Sequence, residues 1–364
     1  MTYKTFGKTG YKVSAVGFGG MRFKAEEYRD GPEKCAELVL YAKELGINYF
    51  DTAPGYCDDM SEIIMGTAFR QMKGGFFVST KCGLWNAKTA DETRARIEKS
   101  LKRLHVDAID FYNMWSIKNM EEYRAYMKKG GIFDGILKAK EEGLIRHVCA
   151  STHASGPDIE EIVNDGIIDG VTLGLNAINF AFRRQGVKAA HAAGVGVVVM
   201  NPLGGGVIPR HAGRFSFLRK SPDESVAKAA LEFLIGQPEI TVTLPGISSR
   251  GELEENVAAA DSAAAVSEAE MDALAGRLRE DLDSLCTCCA YCDECPAGIK
   301  VPQFMDSYNE KILTGEIKPV KSRLINHWSL AASAAKDCTA CGQCEKLCTQ
   351  KLPIIKRMSE IAAL

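Results

Sequence analysis

Two closely spaced runs of cysteine stand out near the carboxyl end of the sequence. Their eight regularly spaced members are Cys286, Cys289, Cys292, Cys295, Cys338, Cys341, Cys344 and Cys348. The C-x2-C-x2-C spacing lets three thiolates of one loop bind three corners of an iron–sulfur cube, while the last cysteine of each run binds the other cube. The spacing predicts two 4Fe-4S clusters, each bound by the first three cysteines of one run and the last cysteine of the other.

Other uses of these cysteines remain open. Eight thiolates could instead form two four-cysteine zinc sites, although zinc sites seldom space three cysteines so closely in both halves. Thr349 follows the second run where Pro296 follows the first, so the second run departs from the usual pattern. Cys288 is left over and is interpreted as a non-ligand. The other four cysteines are interpreted as small buried hydrophobic residues: Cys35, Cys57, Cys82 and Cys149.

A second group of residues could carry out acid–base chemistry. Asp51 and Tyr56 follow one strand-like run, and Lys81 ends the next. A lysine ammonium beside a tyrosine hydroxyl lowers the pKa of the phenol, and an aspartate orients the lysine. We therefore expect Tyr56 to donate a proton near neutral pH. The same residues could also form only a buried salt bridge with a tyrosine packed nearby.

These residues need a scaffold that brings the ends of several strands together. Along the first part of the sequence, short strand-like runs alternate with longer helical patterns. This alternation predicts parallel strands, and eight such units favour a (β/α)8 TIM barrel over a doubly wound sheet. Catalytic groups of such barrels lie at the carboxyl ends of the strands. The eight strand-like runs are Val13–Gly17, Ile47–Asp51, Phe76–Thr80, Ala108–Tyr112, His147–Ala150, Ile168–Leu173, Val195–Met200 and Ile240–Leu244.

The chain divides into a large and a small predicted domain. We expect the α/β barrel to cover residues 1–265, a linker helix to cover 266–284 and a small α-rich cysteine domain to cover 285–364. The net charge of −2 argues against a nucleic-acid-binding surface. No run approaches the roughly 20 apolar residues of a membrane span, and the first residues lack a signal-peptide pattern, so we expect a cytoplasmic protein without membrane contact.

Several motifs resemble those of the aldo-keto reductase family. They are Gly7-Lys8-Thr9-Gly10, Asp51-Thr52-Ala53-Pro54-Gly55-Tyr56, Ser79-Thr80-Lys81 and Pro245-Gly246-Ile247-Ser248-Ser249. With the cysteine domain, the whole chain resembles the branch of that family that carries a carboxyl-terminal ferredoxin-like domain. The resemblance implies an oxidoreductase that reduces a small carbonyl substrate. In it, NADPH or NADH delivers hydride to carbon, and Tyr56 protonates oxygen with the help of Asp51 and Lys81.

The sequence departs from the family at the fourth strand. The family has a catalytic histidine there, and Trp115 takes its place. An indole N–H can donate a hydrogen bond but cannot act as an acid or a base. His153, after the fifth strand, could reach the same pocket and substitute, or it could be an edge histidine that faces water.

The resemblance also implies a nicotinamide-binding site. Glycine-rich backbone amides and a helix start form a cradle for phosphate. Arg250 could bind a 2′-phosphate, but the family's usual arginine falls on Glu252, which leaves NADP and NAD both open. The implied residues are Ser151, Thr152 and Thr172 for the carboxamide, Asn201, Pro202, Leu203 and Gly205 on the phosphate loop, and Gly246, Ser248, Arg250, Glu255 and Asn256 after the last strand.

The two predicted cofactors carry electrons in different numbers. A nicotinamide passes two electrons as hydride and an iron–sulfur cluster passes one, so direct exchange needs a mediator such as a flavin. Three hypotheses follow: a hydride reductase whose clusters act as scaffold or sensor, a one-electron reductase supplied by ferredoxin or another electron-transfer partner, and a redox sensor that binds nicotinamide without turnover. The substrate's identity and the oligomeric state do not follow from the sequence.

Overall fold

The computed structural model describes residues 1–281, 284–286, 291–348 and 350–364. These residues form two compact units. The first contains Met1–Leu203 and Leu218–Val266, and the second contains Gly204–Phe217 and Ser267–Leu364. The grouping of Gly204–Phe217 with the carboxyl-terminal residues is not evident from the sequence. The domain boundaries at 265 and 284 stay a prediction.

The first unit is built on eight parallel strands, preceded by a two-stranded antiparallel hairpin. The strands are β1 (Tyr3–Thr5), β2 (Lys12–Ser14), β3 (Phe18–Gly19), β4 (Tyr49–Asp51), β5 (Phe77–Cys82), β6 (Ile109–Ile117), β7 (Ile145–Thr152), β8 (Gly170–Gly174), β9 (Gly196–Met200) and β10 (Val242–Leu244). β3 to β10 follow one another in chain order across the sheet. Bridges from Val16 to Thr243 and from Gly19 to Gly246 join the last strand to the first. This order is consistent with the predicted (β/α)8 barrel and excludes a doubly wound sheet.

The predicted first barrel strand, Val13–Gly17, is right only in its second half. Val13 and Ser14 belong to β2, which pairs antiparallel with β1, whereas Ala15 and Gly17 form parallel hydrogen bonds with Thr243 of β10, at 2.8 and 3.0 Å. Phe6, in the hairpin connection, is completely buried and contacts the rings of Tyr49 and Phe111. A side chain on Gly196, at the start of β9, would collide with the Phe6 ring. The apolar residues at the start of the chain therefore plug the amino-terminal end of the barrel before they enter its wall.

Helices alternate with the parallel strands. In chain order the helices are α1 (Ala25–Tyr28), α2 (Glu33–Glu44), α3 (Ser61–Phe69), α4 (Ala90–Leu104), α5 (Met120–Tyr126), α6 (Ile132–Glu141), α7 (Gly156–Asn164), α8 (Phe180–Ala192), α9 (Val207–Arg210), α10 (Val226–Ile235), α11 (Arg250–Ser262), α12 (Glu268–Asp281), α13 (Val301–Thr314), α14 (Lys318–Trp328), α15 (Gln343–Leu347) and α16 (Ile354–Ala362). α4 begins at a capping box between Thr89 and Glu92 and ends before His105, which has a left-handed φ of 53°. Its buried residues recur at three- and four-residue steps, as expected for a helix with one face on the sheet.

The second unit contains α9 and α12 to α16, and its described residues form no strand. Its core includes Phe304 and Met305 of α13, Leu324 of α14, and Ile354 and Met358 of α16. No helix in the described part of the chain is long and apolar enough to cross a membrane. The cytoplasmic location stays a prediction.

Candidate active site

A buried ion pair lies at the carboxyl ends of β4 and β5. Lys81 Nζ donates to Asp51 Oδ2 at 2.7 Å, and Ser79 Oγ donates to Asp51 Oδ1 at 2.8 Å. Asn113 on β6 donates in turn to Ser79 Oγ at 3.0 Å. The side chains of Lys81 and Asp51 are only 4% and 8% exposed. The structure thus brings together two of the predicted catalytic residues, with both carboxylate oxygens hydrogen-bonded.

The Lys81 ammonium keeps its charge in this environment. Burial lowers the pKa of a lysine, but Asp51 and Tyr56 raise the pKa of Lys81 by more, so it lies above its usual value. Lys81 can therefore act on a neighbouring hydroxyl as a fixed positive charge.

Tyr56 lies beside the ion pair, with the centre of its ring 5.2 Å from Lys81 Nζ. Burial raises the pKa of Tyr56, and the Lys81 ammonium lowers it by a smaller amount. The expectation of a lowered pKa is wrong in its net direction because burial outweighs the nearby charge. A raised pKa keeps the hydroxyl protonated at neutral pH, which is the state that a proton donor needs.

Two indole rings line the approach to Tyr56. The Trp115 ring meets the Tyr56 ring edge-on at 5.7 Å, and the Trp85 ring lies 4.9 Å from Trp115. A register shift in β6 and a left-handed φ of 62° at Ser116 accompany the placement of Trp115. Trp85 is 58% exposed. Sequence reasoning missed Trp85, although an aromatic residue four positions after Lys81, beyond the end of a barrel strand, was the available signal.

His153 follows β7 and is partly buried. Burial lowers the pKa of His153 to about 3, and the positive charges of Arg183, Lys118 and Lys81 lower it further. Its backbone N–H donates to the carbonyl of Ile117 at 2.9 Å. The imidazole is therefore neutral at physiological pH, and the alternative of an edge histidine that faces water stays a prediction because the residue is partly exposed. Whether it contacts substrate stays a prediction.

The three predicted carboxamide-binding residues lie at adjacent strand ends. Ser151 on β7 is directly opposite Thr172 on β8, and both are buried. Thr172 Oγ1 donates to Asn113 Oδ1 at 3.3 Å, which links this pair to the network around Asp51. Thr152 Oγ1 donates to the carbonyl of Ile117 at 2.9 Å, so that hydroxyl is already engaged. Sequence reasoning missed Asn113; a polar residue in the middle of an apolar barrel strand was the signal.

The predicted phosphate loop follows β9. Asn201 has a left-handed φ of 59°, and three successive glycines, Gly204 to Gly206, have φ of 61°, 64° and 89°. The carbonyl of Asn201 accepts from the Asn176 side chain at 3.2 Å. Pro202 and Leu203 complete the segment within the first unit, while Gly205 belongs to the second. Left-handed backbone at several positions is typical of loops that turn their amides toward one side.

A carboxylate of α11 itself accepts the hydrogen bonds at the start of the helix. Glu252 Oε2 accepts from the Ser248 backbone N–H at 2.7 Å and from Ser248 Oγ at 2.9 Å. Arg250 stacks on the Tyr41 ring at 4.6 Å. Asn256 is buried, and its Nδ2 has no hydrogen-bond partner among the described residues. Gly246 lies at the bridge that closes the barrel, and Glu255 is half-buried on α11.

Four cysteines of the predicted second cluster line one small cavity: Cys295, Cys338, Cys341 and Cys344. The rest of the wall is mainly apolar and includes Ile299, Ile355 and Met358. No described cysteine forms a disulfide. Among the described residues, no three His, Cys, Asp or Glu side chains converge closely enough to hold a single metal ion. A cube differs from a single ion because its thiolates bind separate corners.

The cysteines of the predicted first cluster lie in the core of the second unit. Cys286, Cys292 and Cys348 are buried, and Cys289, Cys288 and Thr349 lie outside the described residues. Asn309 of α13 accepts from the backbone N–H of Cys286 and donates to its carbonyl, both at 2.8 Å. The backbone N–H of Leu352 donates to Cys348 Sγ at 3.4 Å.

Arg357 of α16 is a buried cation near these cysteines. Its Nη2 donates to the carbonyl of Ser284 at 2.7 Å, and its guanidinium lies 4.9 Å from the Tyr308 ring. Its Nη1 has no hydrogen-bond partner within the described part of the chain. Burial lowers the pKa of Arg357, while Tyr308, Cys286 and Cys348 act in the opposite direction.

The remaining cysteines belong to the barrel. Cys35, Cys82 and Cys149 are buried, as expected. Cys57 is half-buried instead, with its Sγ 3.5 Å from the carbonyl of Gly20. Its position directly after Tyr56, on an exposed turn, explains the difference.

Known proteins are similar to this chain over its barrel. The sequence profile of the Aldo/keto reductase family matches residues 15–276. L-galactose dehydrogenase from Arabidopsis thaliana is 27% identical over 286 residues, which cover 70% of this chain and 87% of the relative. An aldo-keto reductase from Bacillus halodurans, in its holo form, has a TM-score of 0.64 at 21% identity and covers 76% of this chain and 96% of its own.

A second solved structure, an aldo/keto reductase from Klebsiella pneumoniae in complex with NADP and acetate, has a TM-score of 0.61 at 20% identity. It covers 76% of this chain and 95% of its own. These structural likenesses support the barrel fold, and the profile match spans the strands that carry Asp51, Lys81 and Trp115. The chain therefore belongs to the aldo/keto reductase family of oxidoreductases.

Proposed function

We propose that the chain reduces a small carbonyl substrate with a nicotinamide cofactor. The observation that carries the proposal is the buried Asp51–Lys81 pair beside Tyr56 at the carboxyl ends of neighbouring strands. A bound nicotinamide would supply the hydride for the carbonyl carbon. Tyr56 donates its proton to the carbonyl oxygen, and the Lys81 ammonium stabilises the tyrosinate that remains. Asp51 holds Lys81 in place, and Trp115 packs edge-on against the Tyr56 ring.

The residues around β7, β8 and α11 would hold the cofactor. Ser151 and Thr172 offer adjacent polar groups for the carboxamide. The unpartnered amide of Asn256 suits the hydrogen-bonding edge of an adenine. The Glu252 carboxylate on Ser248 would repel a 2′-phosphate at the start of α11, so we propose NADH as the preferred cofactor and NADPH as the alternative.

The test of this function is the reduction of methylglyoxal and other small carbonyls, measured as the loss of NADH or NADPH absorbance. Tyr56→Phe should lower kcat about 100-fold or more because it removes the proton donor. The control is Tyr123→Phe, which removes a buried hydroxyl that binds Asp165 on the far side of the barrel wall. Equal turnover by the two variants would refute Tyr56 as the donor.

We further propose that the second unit binds two 4Fe-4S clusters. The residues would be Cys286, Cys289, Cys292 and Cys348 for the first, and Cys338, Cys341, Cys344 and Cys295 for the second. The shared cavity of the last four supports this assignment, as does the open Nη1 of Arg357 near the first set. Bound clusters would pass single electrons. Two four-cysteine zinc sites are the alternative, and iron, sulfide and zinc analysis of anaerobically purified protein distinguishes them.

The visible spectrum of that protein, taken before and after NADH and then NADPH, tests how the two halves cooperate. Bleaching of the cluster band by nicotinamide requires a mediator such as a bound flavin, which shows in the same spectrum. Bleaching only by dithionite or reduced ferredoxin supports clusters that receive their electrons from an electron-transfer partner. Tight NADH binding without turnover of any carbonyl supports a redox sensor instead.

A further inference from the structure

The backbone on either side of Tyr56 is unusual. Gly55 has a φ of 83°, and the three residues after Tyr56 (Cys57, Asp58 and Asp59) have φ of 52°, 54° and 67°. The left-handed region is unfavourable for residues other than glycine, and three in succession persist only where tertiary contacts hold them. The contacts of this turn therefore determine where Tyr56 lies.

Asp59 anchors the turn. Its Oδ1 accepts the backbone N–H of Gly55 at 3.0 Å, a hydrogen bond that spans Tyr56 from one side to the other. Arg103, near the end of α4, donates from Nη1 and Nη2 to the two carboxylate oxygens at 2.8 and 2.5 Å. This contact holds the pKa of Asp59 well below its usual value. Two parallel charged hydrogen bonds also fix the orientation of the carboxylate.

The same guanidinium reaches a second residue. Arg103 Nη1 lies 3.5 Å from Glu62 Oε2, and the Glu62 side chain is 1% exposed. Glu62 Oε1 accepts the hydroxyl of Thr80 at 2.9 Å, and Thr80 precedes Lys81 on β5. Arg103 therefore contacts the turn that carries Tyr56 and, through Glu62, the strand that carries Lys81.

We propose that Asp59 and Arg103 are positioning residues that set the place of the Tyr56 hydroxyl relative to the Lys81 ammonium. The inference rests on the proposed role of Tyr56 as proton donor. The pair acts through the turn and makes no contact with the reacting atoms. A displacement of a catalytic group by about 1 Å can lower turnover about 100-fold, so the pair affects the rate even though it is remote from the substrate.

The test is steady-state reduction of methylglyoxal with NADH by Asp59→Asn, Asp59→Gly and Arg103→Lys. Asparagine and glycine both tolerate the left-handed backbone, so these variants remove the charge with little risk to folding. We expect kcat to fall about 10- to 100-fold with KM nearly unchanged, and Arg103→Lys to be less impaired. Glu161→Gln, which breaks the exposed pair with Arg124, is the control and should leave kcat unchanged.

Each variant is also made in Tyr56→Phe protein. If the pair acts through Tyr56, Asp59→Asn lowers kcat no further in that background. The same fall in both backgrounds, or an unchanged kcat in folded Asp59→Asn and Asp59→Gly, overturns the inference. Full turnover by Tyr56→Phe alone overturns the proposed function instead.

Discussion

Lys81 in the barrel and Arg357 in the second unit are both buried cations, but among the described residues only Lys81 is paired with a carboxylate. Lys81 has a carboxylate at 2.7 Å, and that carboxylate has a second donor in Ser79. Arg357 has one carbonyl and one aromatic ring, and its Nη1 is left without a partner in the described residues. The Lys81 charge is balanced by the protein's own carboxylate, whereas the unpartnered Arg357 donor leaves a hydrogen bond that a ligand would satisfy.

The same contrast exists on α11. Ser248 has its backbone N–H and hydroxyl satisfied by Glu252, while Asn256, further along the helix, keeps a buried amide without a partner. The Glu252 carboxylate would repel a phosphate at the start of the helix. The unpartnered side-chain amide of Asn256 would donate a hydrogen bond to a neutral polar ligand group. The barrel therefore contains both kinds of region within one helix.

The largest effect is expected from opening the closed network. Lys81→Met leaves Asp51 buried without its counter-ion, so we expect the free energy of unfolding to fall by about 3–5 kcal/mol. Turnover should fall about 10²- to 10⁴-fold. Urea unfolding and steady-state rates measure the two effects. The double variant Asp51→Asn, Lys81→Met should recover part of the stability and none of the turnover; recovered turnover would contradict the role given to Lys81.

The closed end of α11 is tested next. Glu252→Gln keeps an acceptor for Ser248 but removes the negative charge, so KM for NADPH should fall about tenfold relative to KM for NADH. The matched control is Glu254→Gln, which changes another carboxylate of α11, one that accepts a hydrogen bond from Tyr41 of α2. A wild-type protein that already prefers NADPH, with no change in Glu252→Gln, would show that Glu252 does not face the cofactor.

The third prediction concerns Arg357, the buried cation of the second unit whose Nη1 has no partner among the described residues. If the proposed clusters are bound, Arg357→Met should lower the reduction potential of one of them by about 59 mV because a nearby positive charge favours the reduced state; this shift is tenfold in the equilibrium constant for one electron. Arg323→Met is the matched control, since Arg323 is paired with Asp306 at 2.6 Å in the same unit. Redox titration followed by electron paramagnetic resonance measures both clusters.

In protein that contains no iron, the effect of Arg357 is measured as a change in the free energy of unfolding. There, Arg357→Met should raise the free energy of unfolding by about 1–3 kcal/mol because it removes a buried donor that lacks a partner. Arg323→Met should lower it. Destabilisation by both variants, in protein with and without iron, would mean that Arg357 is a structural cation like Arg323.

The sequence predicts the strands and the residues at their ends better than it predicts the polar network between them. Asp51 and Lys81 end neighbouring strands, so parallel pairing alone brings them together. Asn113 and Trp85 become relevant only through register and loop conformation, which depend on long-range packing. The direction of the Tyr56 pKa shift depends on how burial compares with one nearby charge, and the sequence contains no measure of burial.

The beginning of the barrel shows the same limit. Val13–Gly17 has the composition of a barrel strand, yet its first residues join the hairpin that plugs the barrel around Phe6. Nothing local distinguishes the two outcomes, because both bury alternate residues. The carboxyl-terminal cysteines are different: their spacing alone carries the hypothesis of two clusters, and the crossing of ligands between the runs stays a prediction. Cys295 lines one cavity with Cys338, Cys341 and Cys344.

The smallest predicted effect concerns His153, which is partly buried near the positive charges of Arg183, Lys118 and Lys81. Its pKa is about 3 in the folded protein, against an ordinary value of 6.5. Between these pH values the unfolded chain binds a proton that the folded chain does not, so this histidine lowers the free energy of unfolding as the pH falls below 6.5 and has no effect above it.

His153→Gln removes that proton. Between pH 7 and pH 5, wild-type protein should lose more stability than the variant, by at most about 2 kcal/mol, since one pH unit corresponds to about 1.4 kcal/mol for a fully depressed group. Urea unfolding at the two pH values measures the difference, and the exposed His191→Gln is the control. Equal losses would mean that His153 reaches water, and it would then be free to donate a proton beside Trp115. A larger loss in wild-type protein leaves Tyr56 as the proton donor on that side of the barrel.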